Sequence, residues 1–222
     1  MQARNGMRRE EILRTAAVLF AERGYHGVSI DDLGAAVGMS GPGIYRHFAS
    51  KEDVLAQMLL GISEHLHEEG ARCVTSASSA DEALDALLRS HVSFSLSQPA
   101  LIVVHGRELA NVPVTARRQI RRLQRLYVEE WVGVLEELLP GVPQGRLRTA
   151  AHAAIGLLNS TPYALRGVGG AGASGGAGGS GAVRGAGAGR SAGGAGVPGE
   201  LGPDAVADLL AGMAKAALLA AG

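Results

Sequence analysis

Residues 29–54 read SIDDLGAAVGMSGPGIYRHFASKEDV. Two short apolar patterns are separated by Gly38-Met39-Ser40. Ser29 can cap a first helix, with Asp32 three residues on as the reciprocal partner of a capping box. Ile30, Leu33 and Val37 give that helix a buried face, and Gly38 permits the left-handed turn that ends it. A second helix follows from Gly41 to about Phe48. Pro42 suits its first turn, where a missing N–H costs little. Ile44 and Phe48 anchor it, which leaves Tyr45, Arg46 and His47 outward. Two short helices joined by a glycine turn form a helix-turn-helix, whose second helix presents its N-terminal residues to the DNA major groove. In this reading Gly41 and Gly43 let the backbone approach base edges, with Ser40 and Pro42 beside them in the DNA-binding set, while Tyr45, Arg46 and His47 donate to phosphates.

Helical periodicity continues in both directions. Ile12, Ala16, Leu19 and Phe20 make one apolar face over residues 8–23, closed by Gly24. Ser50 caps a helix from Lys51 into the mid-seventies. Ser79 and Glu82 form a capping box that opens a helix to about Leu96. Pro99 starts another, to about Ala110. Pro113 starts a long one with Ile120, Leu123, Tyr127, Trp131, Val134 and Leu138 on its inner face, stopped by Pro140-Gly141. An Ala-rich helix spans Pro143 to about Arg166, with a kink expected at Pro162. Residues 167–202 hold about half of the chain's 33 glycines. Such a segment cannot offset its ordering entropy by burial, so a flexible loop is expected. Pro203 opens a last apolar helix. No stretch alternates with period two, so the expected fold class is all-α. The domains expected are a DNA-binding one over residues 1–53 and a ligand-binding, dimerising one over residues 54–222.

Composition narrows the function classes. The 222 residues are 46% hydrophobic, ample for a core, and the formal net charge is zero. DNA binding therefore has to be local rather than global. The single cysteine, Cys73, rules out an intrachain disulfide and fits a reducing cytoplasm, the expected location. No apolar run long enough to span a bilayer is present, and no membrane association is expected.

The matched positions of a known family run through Arg9-Glu10-Glu11-Ile12-Leu13, Leu19-Phe20-Ala21-Glu22-Arg23-Gly24-Tyr25 and Ser29-Ile30-Asp31-Asp32-Leu33. They continue through Ala36-Val37-Gly38-Met39-Ser40, Gly43-Ile44-Tyr45-Arg46-His47-Phe48 and Ser50-Lys51-Glu52. Over residues 8–60 the chain resembles the TetR family of transcriptional regulators. The resemblance implies an N-terminal three-helix DNA-binding domain and a helical C-terminal domain. It also implies a homodimer on a near-palindromic double-stranded DNA operator, usually repressing, and a small-molecule effector that releases it. Ser29, Tyr45, His47 and Lys51 match positions that usually contact phosphates. Gly41 and Gly43 depart from the pattern, because members often carry larger side chains there. Fewer side chains would then read bases directly.

A second resemblance rests on YVEEWVGVLEELLP, residues 127–140, and AAHAAIGLLNSTPY, residues 150–163. These runs look like actinobacterial regulators of lipid and acyl-coenzyme A breakdown, which implies an acyl-coenzyme A effector. Candidate effector residues are Phe94, His105, Glu108, Arg121, Arg125, Tyr127, Trp131, Asn159 and Tyr163, with His91 and Val104 beside them. Arg117, Arg121 and Arg125 share a helical face by i,i+4 spacing, where like charges repel. That face either meets an anion or is solvated and paired with Glu129 or Glu130. Arg4, Arg8 and Arg9 are either a groove-binding arm or disordered terminal charge. Neither a cofactor nor a metal is expected; His65 with Glu68 or Glu69 reads as a solvated face. The rival readings are an all-α enzyme using His91, His105, His152 and carboxylates, and an interaction module without DNA binding.

Overall fold

The computed structural model describes residues 2–164 and 202–222. The flexible loop expected at 167–202 thus lies, up to residue 201, outside the described residues. The helices are α1 (Gln2–Arg23), α2 (Ile30–Ala36), α3 (Gly41–Ile44), α4 (Lys51–Ser76), α5 (Ala80–Ser97), α6 (Pro99–Glu108), α7 (Val114–Leu138), α8 (Gln144–Leu158) and α9 (Pro203–Leu219), with a 3₁₀ turn at Leu109–Asn111. No strand occurs among the described residues.

The caps expected from the sequence set the starts. Ser29 accepts from the Asp32 N–H while Asp32 accepts from the Ser29 N–H, closing the capping box. Ser50 and Ser79 accept from the N–H groups of Asp53 and Glu82 in the same way. Each such cap is worth about 1 kcal/mol. Pro113 and Pro143 are the N-cap residues of α7 and α8. The reading helix is shorter than expected: regular helix ends at Ile44, and Tyr45–His47 form a turn.

The Ala-rich segment departs most from expectation. It is no single kinked helix: α8 ends at Leu158, residues 159–160 turn, and residues 161–164 are helical again. Pro162 offers no N–H to the Leu158 carbonyl and its ring crowds that group. The Thr161 hydroxyl donates to the Leu158 carbonyl instead, at 2.6 Å.

Two apolar cores hold the bundle. The first joins α1 to α4 with α6 and takes in Phe94, Val112 and Ile120. The second joins α5, α7, α8 and α9 around Trp131, Leu87 and Leu135. α4 runs unbroken through residues 53 and 54, where the two domains were expected to divide, and packs on both α5 and α7. The head is thereby carried on a rod rooted in the body. Leu123 and Leu138 of the expected inner face of α7 are only partly buried, whereas Ile120, Tyr127, Trp131 and Val134 are buried.

Candidate DNA-binding head and effector cavity

The turn between α2 and α3 is set by glycine. Gly38 sits at φ +66°, in the left-handed region. A methyl group on Gly34 would lie 2.9 Å from Gly41 N and Met39 O, both backbone atoms, so α2 and α3 cross with nothing between them. Gly41 is itself buried, and a methyl there would meet the Asp31 carboxylate at 1.8 Å. This corrects the reason given for Gly41: the residue is small because α2 packs on it. Gly43 is tight only against Met39 Cε, at 3.2 Å.

Around this turn, Ser40, Pro42, Tyr45 and Arg46 are exposed, Tyr45 at 56%. His47 is half-buried, and its carbonyl accepts from Arg9. Arg9 also donates to Gln57 Oε1 and lies 4.5 Å over the Phe48 ring. Arg8 donates to the Val37 carbonyl at 2.8 Å and to Met39 Sδ at 3.3 Å. Neither expectation for these arginines survives. They are neither a groove arm nor disordered; they fasten α1 to both helices of the motif. The Arg4 side chain lies outside the described residues. Lys51 is turned inward: its ammonium donates to Tyr25 O at 3.0 Å and Val28 O at 2.8 Å, and sits over the Tyr25 ring. An ammonium carries three donors, so these two carbonyls leave one over, beside the exposed Ser29.

The body encloses a cavity of about 200 Å³ between α4, α5, α6, α7 and α8. Its polar wall is His91, Tyr127, Asn159, His105, Gln124 and Ser63. His91 is buried, with Nδ1 2.9 Å from the Tyr127 hydroxyl and Nε2 3.1 Å from Asn159 Oδ1. The amide oxygen only accepts, so Nε2 carries the proton and Nδ1 accepts from tyrosine. Burial pushes the His91 pKa down to about 4, so the ring is neutral at pH 7. Burial lowers His105 as well, and it meets Gln124 at 2.7 Å. Tyr127 is pushed up by the same desolvation.

Of the candidate effector residues, His105, Tyr127 and Asn159 line this cavity, with His91. Five others are placed elsewhere. Phe94, less than one turn beyond His91 on α5, lines an open groove instead. Trp131 is fully buried in the second core, edge-on to His91 and Tyr127. Val104 is fully buried in the first core. Tyr163 is half exposed and off the cavity wall. Glu108 points to the head: Oε1 accepts from the Tyr25 N–H at 3.3 Å, and Oε2 accepts from Asn111 at 2.8 Å. Beside it Arg107 donates to the Ala21 carbonyl at 3.2 Å. The cavity residues missed from the sequence include Ile62, Ser63, Ile102, Gln124, His152 and Ile155. Helical periodicity placed some of these on inner faces, but nothing local marks a hollow.

Arg118, Arg121, Arg122 and Arg125 are exposed and unpaired among the described residues. Glu129 pairs with Arg148 at 2.8 Å and Glu130 faces His67, so the expected pairing of the arginines with these acids is overturned. Among the described residues, no three His, Cys, Asp or Glu side chains are grouped to hold a metal ion, and no helix is long and apolar enough to cross a membrane.

A helix-turn-helix head on a helical body with an internal polar-apolar cavity defines a DNA-binding regulator with a ligand chamber. Residues 12–58 match the family described as bacterial regulatory proteins, tetR family, and residues 77–163 match the tetracyclin repressor-like C-terminal domain. The chain is 30% identical over 144 residues to the HTH-type transcriptional repressor KstR2 of Mycobacterium tuberculosis (strain ATCC 25618 / H37Rv), covering 64% of this chain and 70% of that one. It therefore belongs to the TetR family, and it is a DNA-binding transcriptional regulator rather than an enzyme. A TetR-family regulator from Bordetella parapertussis 12822 shares the fold, with TM-score 0.71 at 21% identity over 93% of both chains. So does AibR, solved in complex with isovaleryl coenzyme A and operator DNA, with TM-score 0.66 at 20% identity over 93% of this chain and 97% of that one.

Proposed function

We propose that the chain is a cytoplasmic repressor, bound as a homodimer to a near-palindromic operator and released from it by an acyl-coenzyme A. One observation carries the release step. α6 lines the cavity with Ile102 and His105 and, within the next turn, grips the head with Arg107 and Glu108. A ligand that displaces α6 displaces the end of α1 with it. Release needs only that the ligand favour a geometry in which the two reading helices no longer sit about 34–36 Å apart. Ser29, Ser40, Pro42, Gly43, Tyr45, Arg46, His47 and Lys51 are the DNA-facing set, with Tyr45 and Arg46 exposed donors, while buried Gly41 lets α2 and α3 close up beneath them. α9 leaves Leu209 and Met213 about half exposed, an apolar face suited to a second copy.

The acyl-coenzyme A reading is supported by the cavity and by α7. Its neutral His91, Asn159 and Gln124 suit an acyl carbonyl among apolar walls. Arg117, Arg121 and Arg125 follow one another at i,i+4 on α7, where like charges repel, and Arg121 and Arg125 are exposed. Helix stability does not account for them; a polyphosphate head beside the cavity wall at Gln124 does, since the guanidinium fork fits phosphate. The isovaleryl coenzyme A bound by AibR is in keeping with this.

The test is selection of bound genomic fragments, followed by anisotropy titration of the selected operator with and without acyl-coenzyme A. Release is expected. Arg121→Gln should weaken release about tenfold while sparing operator affinity. Glu108→Gln should keep both ligands bound and weaken their coupling. An operator complex indifferent to every acyl-coenzyme A sinks the effector reading and leaves the DNA reading intact.

A further inference from the structure

The cavity has a neighbour. An open groove of about 610 Å³ lies between α1, α4 and α5, floored by Leu13, Met58, Ile62, Phe94 and Leu101. Groove and cavity are separated by a wall one layer of helices thick. On α4, Gly61 and His65 face the groove while Ser63 and Leu66 face the cavity. On α5, Ser90 and Phe94 face the groove and His91 the cavity. On α6, Leu101 and Ile102 divide in the same way. Among the described residues Ile62 is the single side chain that lines both spaces, and it is only 4% exposed.

We infer that Ile62 is the partition that sets how long an acyl chain the cavity accepts. This rests on the acyl effector reading and deepens it. A cavity of about 150 Å³ holds one benzene ring, so by proportion a cavity of 200 Å³ holds roughly eight non-hydrogen atoms. A longer chain has to pass Ile62 to reach further apolar surface. On the other sides it meets two kinds of wall: His91, Asn159, Gln124 and His105 are hydrogen-bonded to one another or to Tyr127, bonds a methylene cannot replace, and Leu66, Ile102, Val128 and Ile155 are backed by the packed cores. Beyond Ile62, by contrast, lie Met58, Phe94 and Leu101. The protein thus selects short acyl groups, and the width of one aliphatic side chain imposes the limit.

The experiment is calorimetric titration of the full chain with butyryl- to palmitoyl-coenzyme A, and separately with 1-alkanols of the same chain lengths. In the wild type, affinity should rise through about the octanoyl length and fall at dodecanoyl and beyond. In Ile62→Ala the rise should continue through dodecanoyl, at up to about fourfold per buried methylene, so that dodecanoyl gains at least tenfold over wild type. Ile62→Val, which removes less volume, should give a smaller shift in the same direction and serves if the alanine variant melts too low to titrate. Wild type that binds palmitoyl as tightly as octanoyl overturns the inference. So does a variant with the wild-type length profile, and so does failure of both series to bind the variants. If the alkanols show the break and its shift while no thioester binds, the partition stands and the acyl-coenzyme A reading fails. If thioesters bind without a break, the reverse holds.

Discussion

The head and the body of this regulator are built on different principles. In the head, the reading turn itself is set by partners close in sequence or by glycine, with Arg8, Arg9 and Lys51 tying it to its surroundings: Ser29 with Asp32, Gly34 against Gly41, Gly38 at positive φ. In the body, the polar wall of the cavity joins residues tens of positions apart, such as His91 with Tyr127 and Asn159. The head is a rigid shape with a fixed surface. The body is a shell around a space, and its chemistry depends on how five helices are rotated. A local defect should therefore ruin one region and leave the other working.

The largest separation of the two is expected from Gly34→Ala. The added methyl meets backbone on three sides, so α2 and α3 must part, at a cost of about 1–3 kcal/mol. Operator binding should fall below detection while effector binding persists, as paired anisotropy and calorimetry would report. Retained operator affinity would break the distinction.

Acid should act first on the body. His91 titrates at about 4 in the folded chain against an ordinary 6.5. Between those values the unfolded chain takes up a proton that the folded chain refuses. Stability is therefore full above pH 6.5, is down by about 2 kcal/mol at pH 5, and is down by about 3 kcal/mol below pH 4. Burial of His105 adds in the same direction. Urea midpoints at pH 7 and pH 5 measure this, and His91→Gln should flatten the dependence. A dependence that survives the substitution would place the acid sensitivity elsewhere.

Gly70→Ala is the mirror of the first substitution. Its methyl would press on the Tyr127 ring at 2.8 Å, and that ring is buried behind the cavity. A cost of about 1–2 kcal/mol and a roughly tenfold loss of effector affinity are expected, with operator binding unchanged. Equal losses of both would show that the two regions are not separable.

The smallest effect sharpens the head alone. Tyr45→Phe removes an exposed hydroxyl and leaves the fold intact. Phosphate contacts position rather than specify, so binding should weaken a few-fold and equally across sequences, with the salt slope unchanged because a neutral hydroxyl releases no counterion. A change in sequence preference would instead make Tyr45 a base reader.

The division of labour between sequence and structure follows the same line. Sequence alone determined the all-α class, the three serine caps, the glycine turn and the family, because each rests on interactions within about four residues or on a motif of fixed spacing. It also pointed at His91, His105, Tyr127 and Asn159, which are polar or aromatic residues at inward positions of their helices. Only the tertiary structure decided what lies at the end of each inward vector. Phe94 and Trp131 have the same periodicity as Tyr127, yet one faces a groove and the other a solid core. Glu108 follows His105 by less than one turn and serves the head instead of the cavity. Arg8 and Arg9 looked like free charge until α1 was set against Val37 and Phe48. Periodicity fixes which face of a helix turns inward. Whether that face meets packing, a partner or empty space depends on contacts between residues far apart in the chain, which no local pattern encodes.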